Sequence, residues 1–169
     1  YRMLIIADLK KFSFSELRTC TSAGEPLNPE VIRIWKEGTG ITIREGYGQT
    51  ETCCCLATMP GMEVRQGSMG KPVPGWHIQL HDDEGNEVPQ GEIGRIAISL
   101  NPRPAGLIRE YLDNPEENAA MFVNGWYYTG DKARMDEDGY FWFVGRNDDV
   151  IKSSGYRISP FEVESALLE

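Results

Sequence analysis

LRTCTSAGEPLNPEVIRIWKEGTGITIREGYGQTE, residues 17–51, reads as strand, loop, helix and strand in succession. Leu17 to Ser22 has the β-branched, alternating character of a short strand. It passes into the turn-like Ala23-Gly24-Glu25-Pro26. Asn28 suits the cap of the following helix and Pro29 its first position. Val31, Ile34 and Trp35 recur on one face, and Gly38 suits the stop. Ile41 to Glu45 alternates as a second strand and enters Gly46-Tyr47-Gly48-Gln49-Thr50-Glu51. This part of the chain therefore reads as α/β.

Further on, the texture changes to short strand-like runs between turn signals. Trp76 to His81 is one, Asp82 to Asn86 a turn, and Ile93 to Leu100 the next. Short strands at this spacing predict an antiparallel barrel or sandwich. Asn114, Pro115, Glu116 and Glu117 open a short helix ending near Phe122. Ala133 to Met135 and Tyr140 to Val144 form a hairpin around Asp136 to Gly139. Val150 to Lys152 and Tyr156 to Ile158 form another around Ser153 to Gly155. Ser159-Pro160-Phe161-Glu162 is a capping box that starts a helix. A boundary falls at Asn147 to Asp149. The fold expected is α/β: residues 1–66 the edge of a mixed-sheet subdomain, 67–147 a small antiparallel β-barrel, and 148–169 the start of a mobile α+β domain.

With 169 residues the chain is long enough for one compact domain or two small ones. Its net charge of −9 argues against nucleic acid or an anionic membrane surface as the main partner. No apolar run approaches the roughly 20 residues of a membrane span, and no secretory leader is read at the start. The chain opens at Tyr1 and stops at Glu169 inside an apolar helical pattern, which reads as a segment of a longer protein. Cys20 and the run Cys53, Cys54, Cys55 have no CxxC spacing and no nearby His. They read as reduced thiols packed as small hydrophobes, in a reducing compartment.

Gly67-Ser68-Met69-Gly70-Lys71-Pro72 mimics a phosphate loop, but Arg65 and Pro72 stand where Gly and Ser or Thr are required. Three other segments carry chemistry. In Ser22-Ala23-Gly24-Glu25-Pro26 a glycine at a strand end admits a ligand close to the backbone; an ordinary strand–helix loop looks the same. In Glu45 to Glu51 two glycines flank an aromatic suited to a flat base, followed by a hydroxyl and a carboxylate suited to phosphate oxygens and a hard cation; a glycine bulge is the plain alternative. In Tyr127-Tyr128-Thr129-Gly130-Asp131 the carboxylate suits two vicinal hydroxyls, and Arg146 supplies a charged fork; a surface ion pair is the alternative.

Together SAGEPL, EGYGQTE, YYTGD and GRNDDVIKSSGYRISPFEVE resemble the adenylate-forming superfamily, and within it the medium-chain acyl-CoA synthetases. The resemblance implies an acid–thiol ligase. It joins a fatty or aromatic carboxylic acid to ATP with release of pyrophosphate, then passes the acyl group to CoA with release of AMP. Gly24, Glu25 and Pro26 would line the adenine side. Glu45, Gly46, Tyr47, Gly48, Gln49 and Thr50 would floor adenine and acyl group, with Thr50 near the α-phosphate and Glu51 on Mg2+. Asp131 would hold the ribose with Arg146 beside it, and Asp148 would be the hinge. Ser154, Gly155 and Tyr156 would border the pantetheine channel, and Arg157 would reach the phosphate. Gly48 would leave open a pocket that acetate users close with Trp. Cys53 stands where a glycine commonly follows the glutamate by two residues. ATP or AMP, Mg2+ and coenzyme A are the cofactors and co-substrates implied, with oligomerisation left open and the cytoplasm or mitochondrial matrix the compartment. A carrier-protein thiol as acceptor, or an inactive paralogue serving as a binding module, are the other readings. The resemblance also places a phosphate loop before Tyr1 and a catalytic lysine after Glu169, so the segment by itself is expected to be inactive.

Overall fold

The computed structural model describes residues 1–25, 27–146, the backbone of 151–153 and 156–158, and residue 163. After two short 3-10 turns, Leu4–Ile6 and Leu9–Lys11, strand β1 (Cys20–Ser22) leads through helix α1 (Pro29–Thr39) to β2 (Ile43–Gln49). β1 and β2 are parallel, with Ser22 opposite Glu45. The Asn28 side chain accepts from the Glu30 N–H at 2.7 Å, closing the helix start as its position predicts. The stop differs from expectation. Gly38 lies inside α1, and Gly40, in the left-handed region, caps it. A Cβ at Gly38 would meet Leu9 at 2.7 Å, so close packing requires that glycine. The buried face is Val31, Ile32 and Trp35, with Ile34 only half-buried. Leu27 and Ile43 complete this core beneath Cys20.

The remaining strands run β3 (Cys53–Ala57), β4 (Ser68–Pro72), β5 (Ile78–His81), β6 (Ile93–Ser99), β7 (Phe122–Val123), β8 (Trp126–Met135) and β9 (Phe141–Arg146), with α2 (Pro115–Met121) before β7. From β2 onward the pairings are antiparallel, in the order β1-β2-β3-β4-β9-β8-β6-β5, with β7 on β8. The α/β class holds, but the expected barrel is an open nine-stranded sheet. β4 uses both edges, one on β3 and one on β9, which makes a single continuous sheet out of what the turn spacing suggested was a separate ring. Gly70 permits this junction. Its φ is +86°, and a Cβ there would sit 2.1 Å from the Ala57 carbonyl carbon.

The sheet core gathers Leu56, Ile96, Ile98, Tyr127 and Phe141. The last hairpin is present as β10 (Ile151–Ser153) and β11 (Tyr156–Ile158), paired antiparallel. The boundary at Asn147 to Asp149 and the capping box Ser159 to Glu162 lie outside the described residues. The cysteines divide: Cys20 and Cys55 are buried as small hydrophobes, whereas Cys53 and Cys54 are exposed. Cys53 has φ +52°, and this left-handed residue breaks the strand's alternation, so two successive thiols face solvent.

Candidate functional site

The site is organised by the carboxyl-terminal half of β2 and by the hairpin of β8 and β9. Asp131 sits opposite Arg146 in the β8–β9 register, next to a bulge at Lys132/Ala133. The Asp131 carboxylate is buried, at 6% exposure. The Tyr47 hydroxyl donates to its Oδ2 at 2.6 Å, and the Gln49 amide donates to the same atom at 2.8 Å and to the Thr129 carbonyl at 2.9 Å. β2 and β8 are not neighbours in the sheet order. These bonds therefore span a curl of the sheet and hold its concave side at a fixed width. Burial, then the adjacent Asp131 carboxylate, push the Tyr47 phenol far above its ordinary range, so it stays a donor.

Glu45 is also buried. Its Oε1 accepts from the Leu27 N–H at 3.0 Å and its Oε2 from the Gly67 N–H at 3.1 Å. One carboxylate thus ties the loop after β1 to the turn before β4. Burial raises its pKa, and the two N–H donors pull the other way.

These strands enclose a cavity of about 280 Å³. Gly24, Glu25, Glu45, Gly46, Tyr47, Gly48, Gln49, Asp131 and Arg146 line it, all singled out in the sequence. Gly67, Ser68, Met69 and Phe143 line it too and were missed. The first three belong to the segment that resembles a phosphate loop, and their signal was the paired glycines around a serine. That serine is buried, and its hydroxyl donates to the Phe141 carbonyl at 3.1 Å, so its role is to lock β4 onto β9.

Gly48 has a backbone reason for being glycine. A Cβ there would lie 1.6 Å from the Cys53 carbonyl oxygen, across the register shift between Tyr47 and Gly48. A larger residue at this position requires β3 to move, so Gly48 is not simply a missing wall.

Thr50 and Glu51 occupy the turn between β2 and β3. They face a second, more open cleft of about 490 Å³, also lined by Tyr111, Asn114, Glu117, Met121 and Thr129. Gln49 and Arg146 line both spaces, so the two adjoin. Tyr111 and the α2 residues were not legible as site residues, because nothing in the sequence brings α2 to the β2–β3 turn. Among the described residues no three Asp, Glu, His or Cys side chains gather as a metal cluster. A hard cation here would take one carboxylate from Glu51 and its remaining oxygens from phosphates and water. Mg2+ is commonly held that way, so the donor set fits it. Pro26, Asp148, Ser154 and Gly155 lie outside the described residues. Tyr156 and Arg157 lie in β11, of which the backbone is described.

A family profile described as AMP-binding enzyme matches residues 1–112. The chain is 54% identical over its whole length to the rat "Acyl-coenzyme A synthetase ACSM3, mitochondrial", and covers 29% of that protein. It is 56% identical, again over its whole length, to "4-hydroxybutyrate--CoA ligase 1" of Metallosphaera sedula, covering 30% of it. The chain thus spans about three tenths of the length of these curated relatives. Among solved structures, the anthranilate CoA ligase AuaEII in complex with anthranoyl-AMP superposes with a TM-score of 0.87 at 42% identity. That match covers 98% of this chain and 31% of that one.

Proposed function

This chain belongs to the family of AMP-binding enzymes, and from that premise we propose that its protein is an AMP-forming acyl-CoA synthetase acting on fatty or aromatic carboxylic acids. One observation carries the reading. Asp131, oriented by Tyr47 and Gln49, stands across from Arg146 in a cavity floored by Glu45 to Gln49. A buried carboxylate with a fixed orientation is suited to two vicinal ribose hydroxyls, and the guanidinium fork to ribose or phosphate oxygens. Gly24 and Glu25 flank the purine from the loop that Glu45 holds down.

In the first step the acid's carboxylate oxygen attacks the α-phosphorus of ATP. The bond to pyrophosphate breaks, leaving the acyl adenylate. In the second step the CoA thiol gives its proton to solvent, its sulfur bonds to the acyl carbon, and the acyl–phosphate bond breaks, with AMP leaving with the bonding pair. Mg2+ would neutralise the charge on the phosphate oxygens, with Glu51 as this chain's ligand. The chain's own contribution is alignment and charge placement, the terms that dominate when no covalent enzyme intermediate is needed. Thr50, exposed at the tip of the β2–β3 turn, is assigned to the α-phosphate.

The domain reading continues the proposal: residues 1–66 and 67–147 as two subdomains of the adenylating body, and 148–169 as hinge and beginning of a lid. Asp148 is assigned to the hinge, Ser154, Gly155 and Tyr156 to the pantetheine channel, and Arg157 to the phosphate. The relatives' names support CoA as acceptor over a carrier-protein thiol, and the mitochondrial rat relative supports the mitochondrial matrix over the cytoplasm. No helix among the described residues is long and apolar enough to cross a membrane.

ATP–pyrophosphate exchange by the natural full-length protein, over a panel of aliphatic and aromatic acids, tests the reading. Acid-dependent exchange, followed by one AMP per acyl-CoA, is expected. Release of ADP, or exchange with no acid in the panel, would overturn it.

A further inference from the structure

Glu51 is gripped from outside its own hairpin by the irregular stretch between β6 and α2. The Ile108 N–H donates to the Glu51 carbonyl at 2.7 Å, and the Tyr111 hydroxyl donates to its Oε1 at 3.3 Å. Tyr111 is itself clasped. Its N–H donates to Asn118 Oδ1 at 2.7 Å, and its carbonyl accepts from Asn118 Nδ2 at 2.8 Å. One side chain of α2 thereby fixes the backbone of Tyr111 on both sides. At the other end its hydroxyl lies 3.2 Å from that of Tyr127, which is fully buried in the sheet core. A phenol has one proton to give and lone pairs to accept with. With its proton on Glu51, Tyr111 accepts from Tyr127, and the chain Tyr127–Tyr111–Glu51 acquires a direction.

We infer that Tyr111 is a positioning residue: its hydroxyl, anchored by Asn118 and Tyr127, holds the Glu51 carboxylate in the cleft where a divalent cation on the nucleotide's phosphates would meet it. The inference rests on the reading of Glu51 as the cation's carboxylate. Groups that hydrogen-bond a ligating side chain fix its orientation before the ion arrives, and their loss commonly costs about 10-fold or more in metal affinity. A tyrosine present only to fill space would leave metal affinity untouched.

Tyr111→Phe in the natural full-length protein keeps the ring and the Asn118 clasp and removes the hydroxyl. Mn2+ is titrated into the protein saturated with a non-hydrolysable ATP analogue, and bound ion is followed by electron paramagnetic resonance. Affinity should fall about tenfold. The Mg2+ needed for half-maximal exchange should rise by the same factor, with the KM for the acid unchanged. Tyr127→Phe, which spares the Tyr111 hydroxyl, should shift it about threefold, and serves if Tyr111→Phe does not fold. In a Glu51→Gln background neither change should add anything. If Glu51→Gln weakens Mn2+ binding and the tyrosine variants do not, the positioning role is overturned and the Glu51 assignment stands. If Glu51→Gln also leaves Mn2+ binding unchanged, both fall. Failure of the acid-dependent reaction alone would count against the synthetase reading, since Mn2+ binding is read without it.

Discussion

The two spaces that meet at Gln49 and Arg146 are built on different plans. Around the first, the polar side chains hold one another. Tyr47 and Gln49 converge on Asp131, and Glu45 binds two backbone N–H groups. In the second, Thr50 and Glu117 are exposed, and the Glu51 carboxylate accepts from the Tyr111 hydroxyl at the longer distance of 3.3 Å. The first is held by several short bonds onto buried carboxylates; the second is more open, with Glu51 held through Tyr111 and with Thr50 and Glu117 turned to solvent. The sharpest way to break this contrast is to truncate one carboxylate on each side. Asp131→Ala removes the acceptor of the Tyr47 and Gln49 bonds, and with it the proposed ribose acceptor. Hydrogen bonds to a charged group are worth about 1.5–3 kcal/mol each. kcat/KM for ATP should therefore fall about a hundredfold or more, and unfolding in urea should show a loss of about 2 kcal/mol. Glu117→Ala, on the open wall, should change stability by no more than about 0.5 kcal/mol. Equal losses in the two variants would mean that the first cavity is no more preorganised than the second.

Two carboxylates that hold loops sharpen the comparison through pH. Glu45, inside the first cavity, has a pKa raised above 4.5, chiefly by burial. Asp136 lies in the β8–β9 turn outside both spaces. Burial acts to raise its pKa, but the Tyr140 N–H, the Trp142 indole and Arg65 together hold it below 3.8. The signs are opposite. The folded protein keeps a proton on Glu45 that the unfolded chain has released just above pH 4.5, so Glu45's contribution to stability declines as pH climbs through that window. Asp136 contributes fully above 3.8, and its contribution is lost as pH falls through the folded value. Asp136→Asn should cost about 1–2 kcal/mol at neutral pH and progressively less under acid. Glu45→Gln should compare more favourably with the parent at pH 7 than at pH 4. Urea midpoints measured across that range check both slopes, and parallel slopes would refute the distinction.

Local chemistry made much of this legible. The Asn28 cap and the Asp136 to Gly139 turn are written in short-range residue preferences, and the structure has both in place; Asp131 and Arg146, singled out by their chemistry, stand opposite each other across β8 and β9. Long-range packing wrote the rest. Gly38 looked like a helix stop because glycine commonly is one, yet Leu9 set its identity from another segment. The sheet stays open because the second edge of β4 is taken by β3 rather than by β5, a fact about strands far apart in sequence. Tyr111 carried no motif, since its link to Glu51 depends on Asn118 of α2 holding it beside the β2–β3 turn.

The same tension between local preference and distant packing meets at Cys53, where the smallest of these effects is expected. Its φ of +52° lies in the region that disfavours side chains by roughly 1–2 kcal/mol. Its carbonyl also occupies the space that any side chain at Gly48 would need. The conformation is thus imposed by β2, and the residue bears it with an exposed thiol. Glycine would remove the steric cost at no loss of packing, while adding about 0.5–1 kcal/mol of chain entropy to the unfolded state. Cys53→Gly should accordingly stabilise the fold by about 0.5 kcal/mol, read as a small rise in urea midpoint with unchanged ATP affinity. Cys54→Gly, one residue along in the same strand and outside the positive-φ set, should destabilise instead. If both substitutions move the midpoint the same way, backbone conformation is not what distinguishes the two thiols, and the turn that carries Thr50 and Glu51 is held by something other than the fit of Cys53 against Gly48.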